Sequence, residues 1–344
     1  MEREAHRSDG AVSFQKIIMG VKLPQRILGR TGLSVSCIGL GTAEIGYTYG
    51  IGPRTVPTEE DVIALLHRAV ELGVTFIDTA RFYGEAEERI GKSGILKAEG
   101  VLVSTKCGHV LDRGGDMSEA ELARRLEAEV DESLRKLKLD EIALVQVHGG
   151  TVERIRDGSI ICAMQELKDS GKVRFVGIST RGEEAPLAAI ESGFFDTLQL
   201  AHSILDRRMV VRVLPEAQKK NIGVINRSVL LKGALTSASK YLSPELAPLK
   251  QASDKAGRIA AECGMDLPEL AVRFALSNPS VHTVLVGSNK VKNIESAVRS
   301  AAAGPLPEDI LERLLPLAIE DAMQIDPKYW PADMVSDAKD GKKV

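Results

Sequence analysis

From about residue 35 to residue 300, eight short β-prone apolar runs alternate with stretches of helical periodicity. The strand-like runs are Ser36–Gly41, Val74–Ile77, Val101–Ser104, Ile142–Val147, Val173–Ile178, Thr197–Leu200, Gly223–Ile225 and Thr283–Val286. Helical spacing of apolar residues marks Glu59–Leu72, Ala86–Ala98, Glu119–Leu137, Glu153–Ser170, Glu184–Glu191, Met209–Lys220, Ser253–Glu262, Leu267–Asn278 and Val291–Ala302. Thr58-Glu59-Glu60-Asp61 and Ser118-Glu119 supply N-cap and first-turn acid chemistry, while Gly73, Gly171 and Gly193 stand where helices stop. Eight βα units in one array favour a closed (β/α)8 barrel, the TIM-barrel class of α/β fold, over an open doubly wound sheet.

Ahead of the array, Pro24–Leu28, the turn Gly29-Arg30-Thr31-Gly32 and Leu33–Ile38 predict an N-terminal β-hairpin. Glu308–Glu320 predicts an extra C-terminal helix. The division that follows is one barrel domain over 21–330, a flexible segment over 1–20 and a polar tail over 331–344. Ser228–Lys250 lacks clean periodicity and reads as a functional loop after the seventh strand.

Composition narrows the function classes. Apolar residues make up 44% of the 344, enough for a large core, and charged residues 27%. A formal charge of −3, no basic block and 4% aromatics provide no footprint for nucleic acid and no membrane-surface patch. Cys37, Cys107, Cys162 and Cys263 are scattered without a Cys-x-x-Cys pair, the pattern of reduced thiols. Met1–Gly20 has no apolar h-region, and no run approaches a membrane span, so the expected address is the cytoplasm.

In such barrels chemistry gathers at the carboxyl ends of the strands. The strand exits here carry Asp78, Lys106, His148, Ser179, Gln199 and Arg227-Ser228, and the glycine-rich turn Gly287-Ser288-Asn289 follows the eighth. Tyr83 lies five residues beyond Asp78. Singly, each has an ordinary explanation: Asp78 as a helix cap, Lys106 as a solvated loop lysine, His148 as a satisfied core histidine. Together, each directly after an apolar strand at one rim, they describe proton chemistry. An ammonium beside a phenol stabilises the phenolate, and a carboxylate beside the ammonium holds it charged and in place. The phenol of Tyr83 is then suited to give a proton to a carbonyl oxygen or take one from an alcohol, with His148 orienting that oxygen. Such a set contains no strong nucleophile and requires no metal; it calls for a hydride cofactor.

These residues resemble the aldo-keto reductases, (β/α)8-barrel oxidoreductases that use nicotinamide cofactors. The resemblance runs from about Leu28 to about Ala302 and is carried by Leu28-Gly29-Arg30-Thr31-Gly32-Leu33-Ser34-Val35-Ser36, the segment Gly73–Gly84, Ser104-Thr105-Lys106, Val147-His148 and Gly171-Lys172-Val173-Arg174-Phe175-Val176-Gly177-Ile178-Ser179. It implies a catalytic tetrad of Asp78, Tyr83, Lys106 and His148. It implies a carbonyl or alcohol substrate of small-molecule size, and NADP(H) or NAD(H) lying along Gly41, Thr42, Ser179, Thr180, Gln199, Arg227, Ser228, Leu230, Gly233, Gly287, Ser288, Asn289, Lys290 and Asn293.

Several positions depart from the family pattern. Thr180 replaces an asparagine after strand five, and Arg227 stands where a ring often stacks on the nicotinamide. Asn293 replaces an arginine or glutamine, and Ser296-Ala297 a Glu-Asn pair; Lys290 and Lys292 are placed to meet a 2′-phosphate. Val284-Leu285-Val286-Gly287 and Trp330-Pro331 resemble the sugar-dehydrogenase branch. Substrate choice is expected in Glu44–Pro57 (with Tyr47 and Tyr49), Cys107–Met117 and Ser228–Lys250. Rival readings are a metal-dependent barrel using His109, His148 and His202, a cofactor-binding sensor, and an epimerase or isomerase that recycles its cofactor within a turnover. A metal site would want carboxylates or a His-x-His pair and no adjacent lysine.

Overall fold

The computed structural model describes residues 23–109, 111 and 117–331. The expected segment 1–20, nearly all of 331–344 and residues 110 and 112–116 of the Cys107–Met117 loop lie outside them.

Two strands, β1 (Gln25–Ile27) and β2 (Ser34–Ser36), pair antiparallel as the predicted hairpin. Eight parallel strands then close into a barrel: β3 (Ile38–Gly41), β4 (Phe76–Asp78), β5 (Leu102–Cys107), β6 (Ile142–His148), β7 (Val173–Ser179), β8 (Thr197–Ala201), β9 (Gly223–Arg227) and β10 (Thr283–Gly287), with β10 pairing both β9 and β3. All eight predicted runs are barrel strands. The first is shorter than expected because Ser36 belongs to the hairpin.

Strand alternation explains the core. Outward residues such as Ile77, Val103, Val145, Val147, Val176, Ile178, Leu198, Val224 and Val284 pack against the ring of helices in the largest apolar cluster. At the amino-terminal end, Phe76, Leu144, Ile225 and Leu285 meet Leu28 and Val35 of the hairpin in a separate cluster, so the hairpin seals the barrel floor. Gly29, at φ +50, permits this closure, because a Cβ there would strike the backbone of Ile222 and Gly223. Two residues further along the same strands, the registers Gly41↔Asp78↔Ser104 and Gln146↔Gly177↔Thr197 bring polar side chains together. The barrel is therefore apolar below and polar above.

Helix boundaries follow caps and glycines. Thr58 accepts from Asp61 N at 3.2 Å, Ser118 from Glu121 N at 3.2 Å and Asp266 from Glu269 N at 2.8 Å. Four expected helices are corrected. Gly94, left-handed at φ 74, ends Ala86–Ser93 and leaves Ile95–Lys97 as a 3-10 turn. Gly158, at φ 81, breaks the long expected helix into Val152–Arg156 and Ser159–Asp169. The stretch after β8 is a 3-10 turn at Arg208–Val210 followed by the helix Val213–Lys219. The extra helix stops at Leu314, with Pro316 inside the 3-10 turn that follows. Within Ser228–Lys250 the chain forms 3-10 turns at Leu231–Gly233, Ser237–Tyr241 and Pro244–Leu246, and the next helix already begins at Ala247. Among the described residues, no helix is long and apolar enough to cross a membrane.

Candidate active site

A cavity of about 1750 Å³ opens at the carboxyl ends of the barrel strands. Asp78, Tyr83 and His148 line it, with Lys106 2% exposed beneath them. The ammonium of Lys106 donates to Asp78 Oδ2 at 2.6 Å and to the Thr79 carbonyl at 2.8 Å, and lies 5.1 Å from the centre of the Tyr83 ring. Burial disfavours this ammonium, but Asp78 and Tyr83 outweigh that effect and hold Lys106 above its ordinary range.

The second oxygen of Asp78 is equally engaged. Its Oδ1 accepts from Gln199 Nε2 at 2.7 Å and from Gln146 Nε2 at 3.2 Å, and Gln146 also donates to Ser104 Oγ at 2.7 Å. Thr42 donates its N–H and its hydroxyl to the Asp78 carbonyl, each at 3.0 Å, which ties β3 to β4 at their exits. The carboxylate is thus locked by three side chains from three other strands.

Tyr83 sits on the loop after β4. Thr79 N bonds Ser104 O at 2.8 Å, Arg81 N bonds Lys106 O at 3.4 Å, and Arg81 Nε holds Glu132 at 2.7 Å. Below the loop, Thr105 Oγ1 donates to the buried Glu87 at 2.6 Å, and burial raises Glu87 above the usual carboxylate range. On the other side a Cβ at Gly46 would overlap the Tyr83 carbonyl oxygen. Backbone meets backbone there without room for a side chain.

His148 stands edge-on to Tyr83, 6.4 Å between ring centres, and 5.5 Å from His109, whose ring stacks on Phe82 at 3.6 Å. Burial, then Lys106, His109, Arg181 and Arg227, push its pKa well below the ordinary histidine value, so the ring is neutral at physiological pH. Tyr47 lies 5.9 Å from both Tyr83 and Tyr49. Burial and the adjacent Tyr83 push the Tyr49 phenol up to about 12, against the pull of Arg227 and Arg181.

Of the residues expected to contact a cofactor, Gly41, Thr42, Ser179, Thr180, Gln199, Arg227, Ser228, Leu230, Gly233, Gly287, Lys290 and Asn293 all line the same cavity. Ser288 and Asn289 do not: Ser288 Oγ accepts from Lys290 N at 3.1 Å and from Asn293 Nδ2 at 2.9 Å, and Asn289 Nδ2 donates to Thr55 O at 3.1 Å. Arg227 donates to the Thr180 carbonyl at 2.8 Å and to Ser228 Oγ at 3.2 Å. Ser228 and Lys232 in the cavity wall, and buried Leu231 between them, hold left-handed backbone at φ 60, 56 and 44.

His202 is drawn elsewhere. It is buried beside Phe274, its backbone is bracketed by Asn226, and its pKa is lowered to about 4 by burial. Among the described residues, no group of three or more His, Cys, Asp or Glu side chains is placed to hold a metal ion.

Two residues were missed from sequence. Gln146 was signalled by its position, a polar side chain inside the apolar run Ile142–Val147. Gly46 had no signal, since its role depends on a loop 37 residues away in sequence.

The model of the Aldo/keto reductase family matches residues 37–317. The chain is 33% identical to an L-galactose dehydrogenase of Arabidopsis thaliana over 295 residues, 80% of this chain and 88% of that protein. It is 26% identical to a D-threo-aldose 1-dehydrogenase of a Pseudomonas species, covering 83% of this chain and 96% of the relative. Among solved structures it is similar to the holo form of the aldo-keto reductase AKR11C1 from Bacillus halodurans, with a TM-score of 0.71, 26% identity, and coverage of 87% of this chain and 97% of that one. Barrel, site and similarity agree, and the chain belongs to the aldo/keto reductase family of oxidoreductases.

Proposed function

We propose that this protein interconverts a carbonyl, in an aldehyde, ketone or sugar, with the corresponding alcohol by hydride transfer, using NADP(H) or NAD(H). The observation that carries the reading is the buried Lys106–Asp78 pair at 2.6 Å beneath Tyr83, with neutral His148 beside it. Similarity to an L-galactose dehydrogenase and a D-threo-aldose 1-dehydrogenase supports a sugar among the substrates.

The residues fit a dinucleotide. The cavity exceeds the roughly 300–1,000 Å³ of ordinary ligand clefts, leaving room for a second small molecule. The Thr180 hydroxyl is buried in its wall without a hydrogen-bond partner. Ser179, Thr180 and the side-chain oxygen of Gln199, whose amide nitrogen is given to Asp78, would hold the carboxamide end. Lys290, Lys292 and Arg258, which line the far end, would supply charge to phosphate. When bound, the nicotinamide supplies or accepts the hydride.

This chain's own residues manage the proton. Tyr83 gives its hydroxyl proton to the carbonyl oxygen as negative charge develops there, and recovers it in the reverse direction. Lys106, held charged by Asp78, stabilises the phenolate left behind. His148, neutral, donates a hydrogen bond that orients the oxygen. Gln146 and Gln199 fix Asp78, so the ammonium does not swing away.

Purified protein mixed with NADPH or NADH and a panel of aldehydes, ketones and sugars tests the reading by loss of absorbance at the nicotinamide band. Turnover that is abolished by chelators and indifferent to nicotinamide would overturn it. Tight cofactor binding with no turnover on any carbonyl or alcohol would favour a sensor instead.

A further inference from the structure

Lys106, Arg181 and Arg227 stand at the inner end of the cavity, with Lys232 over the Tyr49 ring nearby, and the first three are balanced unequally. Lys106 is neutralised by Asp78 at 2.6 Å, and Arg181 by Asp326 at 2.6 Å. Arg227 has no carboxylate within 4.0 Å among the described residues; it donates to a carbonyl and a hydroxyl, both neutral, and Asp326, already bridged to Arg181, acts on it only at longer range. It occupies the inward face of β9, in register with the alternation that points Ile225 into the barrel core. Across the mouth stand Tyr83 and His148. The low proton affinity of His148 comes first from burial, then from Lys106 and His109, with Arg181 and Arg227 adding in the same sense.

A ring that exchanges hydride with a carbon whose oxygen lies on Tyr83 and His148 must sit within a few ångströms of that carbon, between the β4–β6 residues and the β7–β9 wall. Oxidised nicotinamide carries a positive ring charge and the reduced ring is neutral. We propose that the guanidinium of Arg227, which has no carboxylate paired with it at contact distance, discriminates the two redox states, making the site bind reduced cofactor more tightly than oxidised. This rests on the nicotinamide reading above and adds a redox-state preference to it. Like charges sharing one site at an effective dielectric near 20 correspond to a preference on the order of tenfold. The preference is independent of the 2′-phosphate, since both redox states of one dinucleotide share it.

The test is a pair of fluorescence titrations on the purified full chain, NADPH against NADP+ (and NADH against NAD+), for wild type, Arg227→Gln and Arg227→Lys. Wild type is expected to show Kd for the oxidised form on the order of tenfold above that for the reduced form. Arg227→Gln should bring the ratio to within about twofold of unity, chiefly by tightening the oxidised form, whereas Arg227→Lys should keep it. A ratio unchanged in Arg227→Gln overturns the proposal, as does a wild-type ratio near one. If Arg227→Gln does not fold, the Lys variant decides: loss of the preference in Arg227→Lys overturns it. Failure of any nicotinamide to bind would instead remove the functional reading itself, a distinct outcome.

Discussion

Replacing Asp78 by asparagine should cost stability most at neutral pH and less as pH rises. In the native protein the Lys106 ammonium is 2% exposed and lies 2.6 Å from the carboxylate. At that distance, with an effective dielectric near 20, the attraction is about 6 kcal/mol, and desolvation of both groups offsets part of it. Removing one partner of a buried pair typically costs about 3–5 kcal/mol, because the other charge is left uncompensated. The asparagine oxygen still accepts from Gln146 and Gln199, but the charge-assisted hydrogen bond from Lys106 goes with the second carboxylate oxygen. We therefore expect Asp78→Asn to lose about 3–5 kcal/mol at neutral pH, within the roughly 5–15 kcal/mol of an ordinary domain.

The pH dependence separates this cause from simple loss of packing. In the native protein Lys106 is held above 10.5, so its contribution is complete below pH 10.5 and is lost as pH rises through the higher folded value. In Asp78→Asn, burial dominates and pulls the folded pKa below 10.5. The penalty is then largest at neutral pH and shrinks as pH rises toward 10.5. The double variant Asp78→Asn/Lys106→Met should recover at least about 2 kcal/mol over Asp78→Asn alone, since a neutral side chain no longer needs a counter-charge. Urea unfolding followed by circular dichroism and by the fluorescence of Trp330, the sole tryptophan, gives these values. A loss below about 1 kcal/mol, or a double variant no more stable than Asp78→Asn, would refute the reasoning.

Three further outcomes are expected. Gly46→Ala should lower kcat at least about tenfold with KM for cofactor little changed, because the new Cβ displaces the Tyr83 carbonyl and with it the phenol; steady-state kinetics with a far-UV spectrum of native shape checks this. His202, whose folded pKa is about 4 against 6.5 unfolded, should cost stability as pH falls from 6.5 to 4, reaching about 3 kcal/mol. Urea midpoints at pH 7, 5.5 and 4 measure it, and His202→Asn should flatten that limb. His148, lowered well below 6.5, should give no inflection in kcat near pH 6.5; an inflection there that disappears in His148→Gln would contradict a neutral role.

The clustering of Asp78, Tyr83, Lys106 and His148 was legible because these residues obey a rule that needs no coordinates. Asp78, Lys106 and His148 each close an apolar run, and a closed parallel barrel gathers strand exits at one rim. Tyr83 was legible through its distance from Asp78 and the glycine after it. What stayed hidden depends on contacts between distant segments or on one backbone angle. Gly94 and Gly158 sit inside otherwise helical spacing, and periodicity does not reveal that each turns left-handed. The helix at Ala247–Glu262 begins six residues before the expected Ser253, because apolar periodicity is weak in its first turns, where Pro248 sits. Ser288 reads equally well as a phosphate ligand or as the turn that it makes with Lys290 and Asn293. Gln199 is expected from the resemblance to meet a carboxamide, yet its amide nitrogen is already given to Asp78.

The central claim is that Tyr83 moves the proton. Single-turnover reduction of a carbonyl substrate by Tyr83→Phe, run beside a titration of the same protein with NADPH or NADH, tests it. The account predicts a rate lower by at least about 100-fold with cofactor Kd within about twofold of wild type. Wild-type turnover in Tyr83→Phe, or loss of cofactor binding with the residual rate intact, would contradict it.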